Sequence, residues 1–239
     1  MTSTSDAFIQ LRGVSKSYRR GGELLQVLNQ LDLDIVQGDF AAMMGPSGSG
    51  KTTILNLVGG LDNPDAGQIT VAGVDITRIG SSALPAWRAR HVGFVFQSFN
   101  LVSVLTALEN VLLPLKLTPL GAKQRREQAR FALEIVGLAD RMKHRPKQLS
   151  GGQEQRVAIA RAIATDPDII LAEEPTGDLD RDSANEIMKL LGRLNDELGK
   201  TILMVTHDQL AADHARRVLH LDKGELIEKG VIETPGSAT

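Results

Sequence analysis

From Met43 to Gly60 the chain reads MMGPSGSGKTTILNLVGG. Within that stretch Gly45, Pro46, Ser47, Gly48, Ser49, Gly50, Lys51 and Thr52 fit the spacing G-x-x-x-x-G-K-[ST]. The pattern suits a phosphate chain. Many donors must converge on the anion, and backbone N–H groups supply them only where no side chain intrudes. A helix starting near Lys51 adds unpaired N–H groups and the positive end of its dipole. Lys51 brings a full charge to the β- and γ-phosphates, and Thr52 offers a hydroxyl to Mg²⁺, which prefers oxygen ligands in an octahedron. A tight Gly-Ser turn leading into a helix would account for the glycines alone, not for the lysine and hydroxyl behind them.

Two further stretches carry chemistry. DIILAEEPTGDLD, residues 168 to 180, starts as a buried strand and ends in carboxylates. A carboxylate at a strand end beside a phosphate loop can hold the metal, and a second can polarise an attacking water. Glu173 and Glu174 are those candidates, and Pro175 restricts the backbone of Glu174. QLSGGQEQRVAIARAIA, residues 148 to 164, opens on Ser150-Gly151-Gly152 and continues as an Ala-rich helix, again an N-terminus suited to an anion. Two such sites in one chain, about a hundred residues apart, suggest that each meets a nucleotide held by a different copy.

The elements that must position these residues follow from patterning. Residues 8–14 and 24–36 read as strands. Leu31, Leu33 and Ile35 alternate with polar neighbours, as in a half-buried antiparallel strand. Phe40 to Met44 is a short strand buried on both faces, followed by a helix from Lys51 to Leu61. Gln68 to Asp75 reads as a hairpin around Ala72-Gly73, and Val92 to Phe96 as a strand. Helical periods cover Leu108–Leu117, Lys123–Val136 and Gln153–Thr165. Strands return at Ile169–Ala172, Ile202–Val205 and Val218–Leu221, with a helix over about 182–198 between the first two. Strands alternating with helices predict an α/β fold with a mainly parallel core sheet, an antiparallel β subdomain at the N-terminal side and a helical insertion. The expected organisation is one domain over 1–239: a core with its β subdomain at about 8–97 and 166–230, a helical subdomain at about 98–165 and a loose tail at 231–239.

Bulk composition narrows the partners. The 239 residues carry a formal net charge of -2, which offers no general field for nucleic acid. With no cysteine, disulfides and thiolate metal sites are excluded. The start, MTSTSDAF, has no basic n-region or apolar h-region. No apolar run approaches the roughly 18–20 residues that span a bilayer, so work at a membrane requires another chain to cross it.

The motifs together resemble the nucleotide-binding subunit of an ATP-binding cassette (ABC) transporter along residues 8 to 230. In order they are the phosphate loop, Gln97 in FVFQSFN, LSGGQ at Leu149–Gln153, ILAEEPTGDLD and His207 in MVTHD. The resemblance implies a P-loop NTPase core that hydrolyses ATP with Mg²⁺, and two copies joined head to tail with two ATP molecules between them. It implies that Gly45 to Thr53 bind phosphates and metal, with Thr53 next to the Thr52 ligand. Ser150, Gly151, Gly152 and Gln153 would meet the γ-phosphate of the other copy's ATP. Gln97 would touch Mg²⁺ or the attacking water, Glu173 would serve the metal, Glu174 would be the general base, and His207 would hold the γ-phosphate. Asp180 would lie in the loop that crosses the dimer, and Tyr18 would stack on adenine. In one departure the chain has Glu173 where the family usually has aspartate; the longer arm must fold back or displace a water.

GGLDNPDAGQITVAGVDIT, FNLVSVLTALENVLLPL and HRPKQLSGGQ resemble the group of lipoprotein-releasing, macrolide-export and cell-division ATPases. That resemblance implies an integral-membrane permease with a large extracytoplasmic domain, and a peripheral place on the cytoplasmic face of the cell membrane. The coupling contact is expected on the stretch from about Phe99 to Leu117. A regulator of the cell-division type, which moves a membrane partner and transports nothing, is the competing reading. Soluble ABC ATPases of the DNA-repair type insert a long coiled coil between phosphate loop and signature; here Lys51 and Ser150 are 99 positions apart, with no sustained heptad between them. A simple P-loop kinase would have no use for LSGGQ.

Overall fold

The computed structural model describes residues 7–227, and the tail expected at 231–239 lies outside them. In chain order the elements are β1 (Ala7–Arg20), β2 (Glu23–Val36), β3 (Phe40–Met44), α1 (Lys51–Val58), β4 (Ala66–Val71), β5 (Val74–Asp75), α2 (Leu84–His91), β6 (Val92–Val95), α3 (Ala107–Leu115), α4 (Ala122–Ile135), α5 (Gly151–Ile163), β7 (Ile169–Glu173), α6 (Arg181–Asp196), β8 (Thr201–Val205), α7 (Gln209–Ala212), β9 (Arg217–Asp222) and β10 (Glu225–Ile227). They fall into two compact units. One holds the described residues up to Leu84 and from Thr201 onward; the other is Pro85–Lys200.

In the first unit, β1 and β2 form a long antiparallel hairpin, and β4 and β5 extend it in the order β2-β1-β4-β5. The expected alternation holds: Leu31, Leu33 and Ile35 are buried and Asp32 is exposed. β1 runs beyond the expected 8–14 because its polar second half pairs with β2, Tyr18 opposite Leu25 and Arg19 opposite Leu24. Ladder hydrogen bonds there replace an apolar face as the reason for extended backbone. The β4–β5 turn has Ala72 and Gly73 both at positive φ (51° and 75°), the geometry of a type I′ hairpin. Beside this sheet, β3 lies between β8 and β9, parallel to both, and β10 closes the edge antiparallel to β9. All five β3 residues are buried, as its unbroken apolar run requires.

In the second unit, β6 and β7 pair in parallel, and α5 packs on β6. Gly93 allows this approach, since a Cβ there would come within 2.4 Å of the Ala162 carbonyl oxygen. Helices α3, α4 and α5 pack on one another, and α6, whose buried stripe includes Ile187, Leu191 and Leu194, packs on α5. The core strands are thus mainly parallel, with an antiparallel β sheet from the N-terminal half, as the sequence predicts. One helix was not expected. Only Leu84 and Trp87 of α2 join the core, so its sequence shows no continuous apolar stripe. Among the described residues no helix is long and apolar enough to cross a membrane.

Candidate functional site

The phosphate loop occupies residues 45–50 between β3 and α1. Its shape depends on close backbone packing. A Cβ on Gly45 would stand 2.0 Å from the Leu221 carbonyl oxygen of β9, a collision with main chain that cannot swing away. From the β9–β10 turn, Gly224 N–H donates to the Ser49 carbonyl (3.2 Å). The loop is therefore backed by β9 and its turn while Pro46, Ser47 and Gly48 face solvent. Helix α1 starts after Gly50, which is left-handed (φ 105°) and provides no side-chain cap. The donors of the first turn, from Lys51 to Thr53, are thus not claimed by a capping side chain. Lys51 is buried, and its ammonium donates to the carbonyls of Gly45 (2.7 Å) and Pro46 (2.8 Å), so the charge sits over the loop's mouth. The Thr52 side chain is exposed and Thr53 is buried.

Tyr18 and His207 belong to the same unit. The Tyr18 hydroxyl donates to Asp62 (2.8 Å), and the Lys16 ammonium lies 5.1 Å from the ring centroid while donating to Asp62 and the Asn63 carbonyl. Burial, then the Asp62 bond, raises the phenol's pKa, so Tyr18 stays neutral at physiological pH. Burial opposes the Asp62 charge, but hydrogen bonds from Lys16 and Tyr18 outweigh it and hold the carboxyl below its ordinary value. Tyr18 is 38% exposed. His207 is exposed just after β8. Because β3 and β8 are parallel neighbours with Met43 opposite Val205, His207 and the phosphate loop leave the same ends of adjacent strands. That is where open α/β sheets bind ligands.

The second unit repeats the device. Val95 of β6 lies opposite Ala172 of β7, so Gln97 and the pair Glu173-Glu174 emerge at one edge. Glu174 has a left-handed backbone, φ 44°, unusual for a residue with a Cβ and of a kind concentrated at functional sites. Its carbonyl accepts from Gly177 N–H (3.0 Å), which closes the turn. Gln97, expected on metal or water, donates its amide to Asp178 (2.7 Å), a residue the sequence did not single out. Asp180, expected in a loop that crosses a dimer, is the N-cap of α6. Its carboxylate accepts from the N–H groups of Asp182 and Ser183 and from the Ser183 hydroxyl. Those Ser183 bonds depress its pKa.

Ser150 is the N-cap of α5 in a reciprocal capping box. Its hydroxyl accepts from Gln153 N–H (3.3 Å), and the Gln153 side chain accepts from Ser150 N–H (3.1 Å). Ser150 and Gly151 are exposed. Gly151 lies against Leu179 and Phe99, and Gly152 against Ser183, so this corner adjoins both the Gln97 loop and the start of α6. The structure thus groups Lys51–Thr53 with Tyr18 and His207 in one unit. In the other it groups Gln97, Glu173, Glu174, Asp180 and Ser150–Gln153. Gln155 and Arg161 of α5 were missed. The available signal was polarity at positions inside the buried face of a helix.

No group of three or more His, Cys, Asp or Glu among the described residues is placed to hold a metal ion. The Thr52 hydroxyl in the first unit, and the Gln97 amide oxygen and Glu173 carboxylate in the second, are each oxygen donors of the kind Mg²⁺ accepts.

Residues 28–177 match the family model described as ABC transporter. The chain is 48% identical over 227 residues to the macrolide export ATP-binding/permease protein MacB 1/2 of Paracoccus denitrificans, covering 95% of this chain and 34% of that protein. It thus spans about a third of the length of that relative. It is 42% identical over 226 residues to the lipoprotein-releasing system ATP-binding protein LolD of Chromohalobacter salexigens, covering 95% of each. The dimeric structure of the ATP-binding cassette MJ0796 from Methanocaldococcus jannaschii, in a post-hydrolysis state with ADP and Pi, superposes with a TM-score of 0.86 at 42% identity, covering 95% of this chain and 99% of that one. The chain belongs to the ABC transporter family: it is an ABC ATPase, the ATP-binding cassette of a MacB- and LolD-like group.

Proposed function

Within that family, we propose that this chain is the ATP-hydrolysing motor of a transporter of the macrolide-export or lipoprotein-release kind. It acts as two copies closing head to tail over two ATP molecules. The observation that carries the reading is the serine-glycine corner at Ser150–Gly152, exposed at Ser150 and Gly151, a second helix start of the kind that suits an anion in a chain that already has a phosphate loop. The dimeric state of the MJ0796 cassette supports it.

Each residue then has a task. Gly45–Thr53 cradle the phosphates of ATP, Lys51 neutralises the β- and γ-phosphates, and Tyr18 stacks on the adenine. Glu174 takes a proton from the attacking water as the new P–O bond forms; the bond to the β-phosphate oxygen breaks, leaving ADP and phosphate. His207 holds the γ-phosphate, and Gln97 orients the water. Thr52, Gln97 and Glu173 are the residues that would hold Mg²⁺, which would supply charge neutralisation to the phosphates. Ser150, Gly151, Gly152 and Gln153 close on the other copy's γ-phosphate, and Asp180 lies near that junction.

An integral-membrane permease with a large extracytoplasmic domain is the implied partner, and it would hold this chain at the cytoplasmic face of the membrane. Asn110 is fully buried and bonds Val102, Leu105 and Thr106, which fixes the loop after Gln97. On this ordered stretch Val104 is 70% exposed and Leu117 74%. A cleft beside it is lined by Ser103, Lys143, Arg145 and Lys147. Apolar tips with a basic rim suit the cytoplasmic loop of such a partner.

Glu174→Gln tests the reading. It should keep ATP binding, lose hydrolysis by about 10²–10⁴-fold, and elute as a dimer in Mg-ATP. Hydrolysis near the parent rate would refute Glu174 as base, and a strict monomer with and without the permease would refute the closed pair. Co-purification from native membranes identifies the integral partner.

A further inference from the structure

Helix α5 begins at the signature corner, yet its most buried polar side chain lies one turn further in. Gln155 has no exposed surface. Its Nε2 donates to two carbonyls far apart in sequence, Pro175 (2.6 Å) and Phe96 (3.3 Å). Phe96 precedes Gln97, and Pro175 follows Glu174. One amide group therefore holds the peptides that flank both proposed hydrolytic residues. Its Oε1 is buried with no hydrogen-bond partner, an arrangement that costs stability. A side chain present only to fill space would be met more cheaply by leucine or methionine.

The surroundings agree. The two loops are closely fitted: a Cβ on Gly177 would lie 3.0 Å from the Gln97 amide, and Gln97 donates to Asp178. Further along α5, the Arg161 guanidinium donates to the carbonyls of Phe99 (2.8 Å) and Asn100 (2.5 Å). Both of those residues have left-handed backbones, φ 54° and 50°. The loop that carries Gln97 is thus held to α5 at three carbonyls, Phe96, Phe99 and Asn100, and the Glu174 turn at one.

We propose that Gln155 is a positioning residue for hydrolysis, which sets Gln97 and Glu174 relative to each other and makes both move with the signature helix. The proposal rests on the roles assigned above to Gln97 and Glu174. When a nucleotide held by another copy engages Ser150–Gly152, any shift of α5 reaches both loops through this amide. The reach of Gln155 is to the Phe96 and Pro175 carbonyls, so on this proposal it governs turnover and leaves ATP affinity alone.

The test is steady-state hydrolysis by the full chain with Mg-ATP, for Gln155→Met, which keeps the volume, and Gln155→Glu, which keeps the shape and replaces the donor. Glu174→Gln serves as reference, and a thermal melt accompanies each variant. Since a displacement of about 1 Å at a reacting group costs on the order of 10²-fold, the expected result is a kcat lowered by about 10–100-fold with KM for ATP within about twofold, in at least one folded variant. Parental kcat in every folded variant overturns the proposal while Glu174→Gln remains inactive. So does a parallel change in kcat and KM, or the failure of both variants to fold, either of which makes Gln155 a packing residue. If Glu174→Gln itself hydrolyses ATP at the parent rate, the site reading falls first and takes this proposal with it.

Discussion

Helices α1 and α5 both begin with glycine-rich sequence, and their first turns are finished in opposite ways. At α1 the N-cap is Gly50, left-handed and without a side chain to cap the helix. At α5 the N-cap is Ser150, and a complete capping box with Gln153 satisfies the end internally. The first start has a lysine laid over it and a β turn behind it; the second has neither. An end that its own N-cap side chain does not cap is braced from outside, here by β9 and its turn. An end that caps itself is stable alone and exchanges its bonds only when a ligand arrives. The difference matches the proposed division of labour, in which one corner holds its own nucleotide and the other visits a neighbour's.

The comparison can be broken hardest at Gly45. Gly45→Ala places a methyl group against the Leu221 carbonyl oxygen. Nucleotide binding, followed by titration with a fluorescent ATP analogue, should be lost, and the melting temperature should fall as β9 is displaced. Retained binding would show that the close approach to β9 is not what shapes the loop. Ser150→Ala probes the other corner. Removing an N-cap costs about 1 kcal/mol, which for a chain of this size lowers Tm by roughly 2–4 °C. ATP binding by the monomer should be unchanged and ATP-dependent pairing weakened, as read by light scattering with Mg-ATP. Equal losses in both corners' assays would erase the distinction.

Two smaller effects sharpen it. Glu173→Asp should change the Mg²⁺ dependence of hydrolysis by no more than a few-fold, since one methylene shifts the carboxylate without removing it; an unchanged titration would show that the longer arm is of no consequence. Asp180 has a folded pKa below its unfolded value, because of its Ser183 and Asp182 bonds. Its contribution is therefore present above the ordinary carboxylate pKa and fades as pH falls through the depressed folded value. Asp180→Asn keeps a cap that does not titrate, so its melting temperature should decline less than the parent's across that acid range. Identical acid profiles would remove Asp180 as a contributor.

What could be read in advance depended on sequence distance. The phosphate loop is contiguous, and its spacing, lysine and hydroxyl announce it before any fold is known. The strand alternation at Leu31–Ile35 and the helices α4, α5 and α6 were legible because each buries one regular face. Helix α2 was not, since LPAWRARH carries no stripe, and neither was the second half of β1, whose extension comes from pairing with β2.

The site divides along the same line. Sequence by itself determined the chemistry: which residues could hold phosphate, offer oxygen to Mg²⁺ or accept a proton, because those properties belong to side chains and short runs of backbone. Tertiary structure decided which of them stand together and what holds them. The Gln97 amide on Asp178 spans 81 positions of sequence, and Gln155 reaches Phe96 across 59. A hydrogen bond forms wherever folding brings donor and acceptor within about 3 Å, and nothing in a linear pattern records that approach.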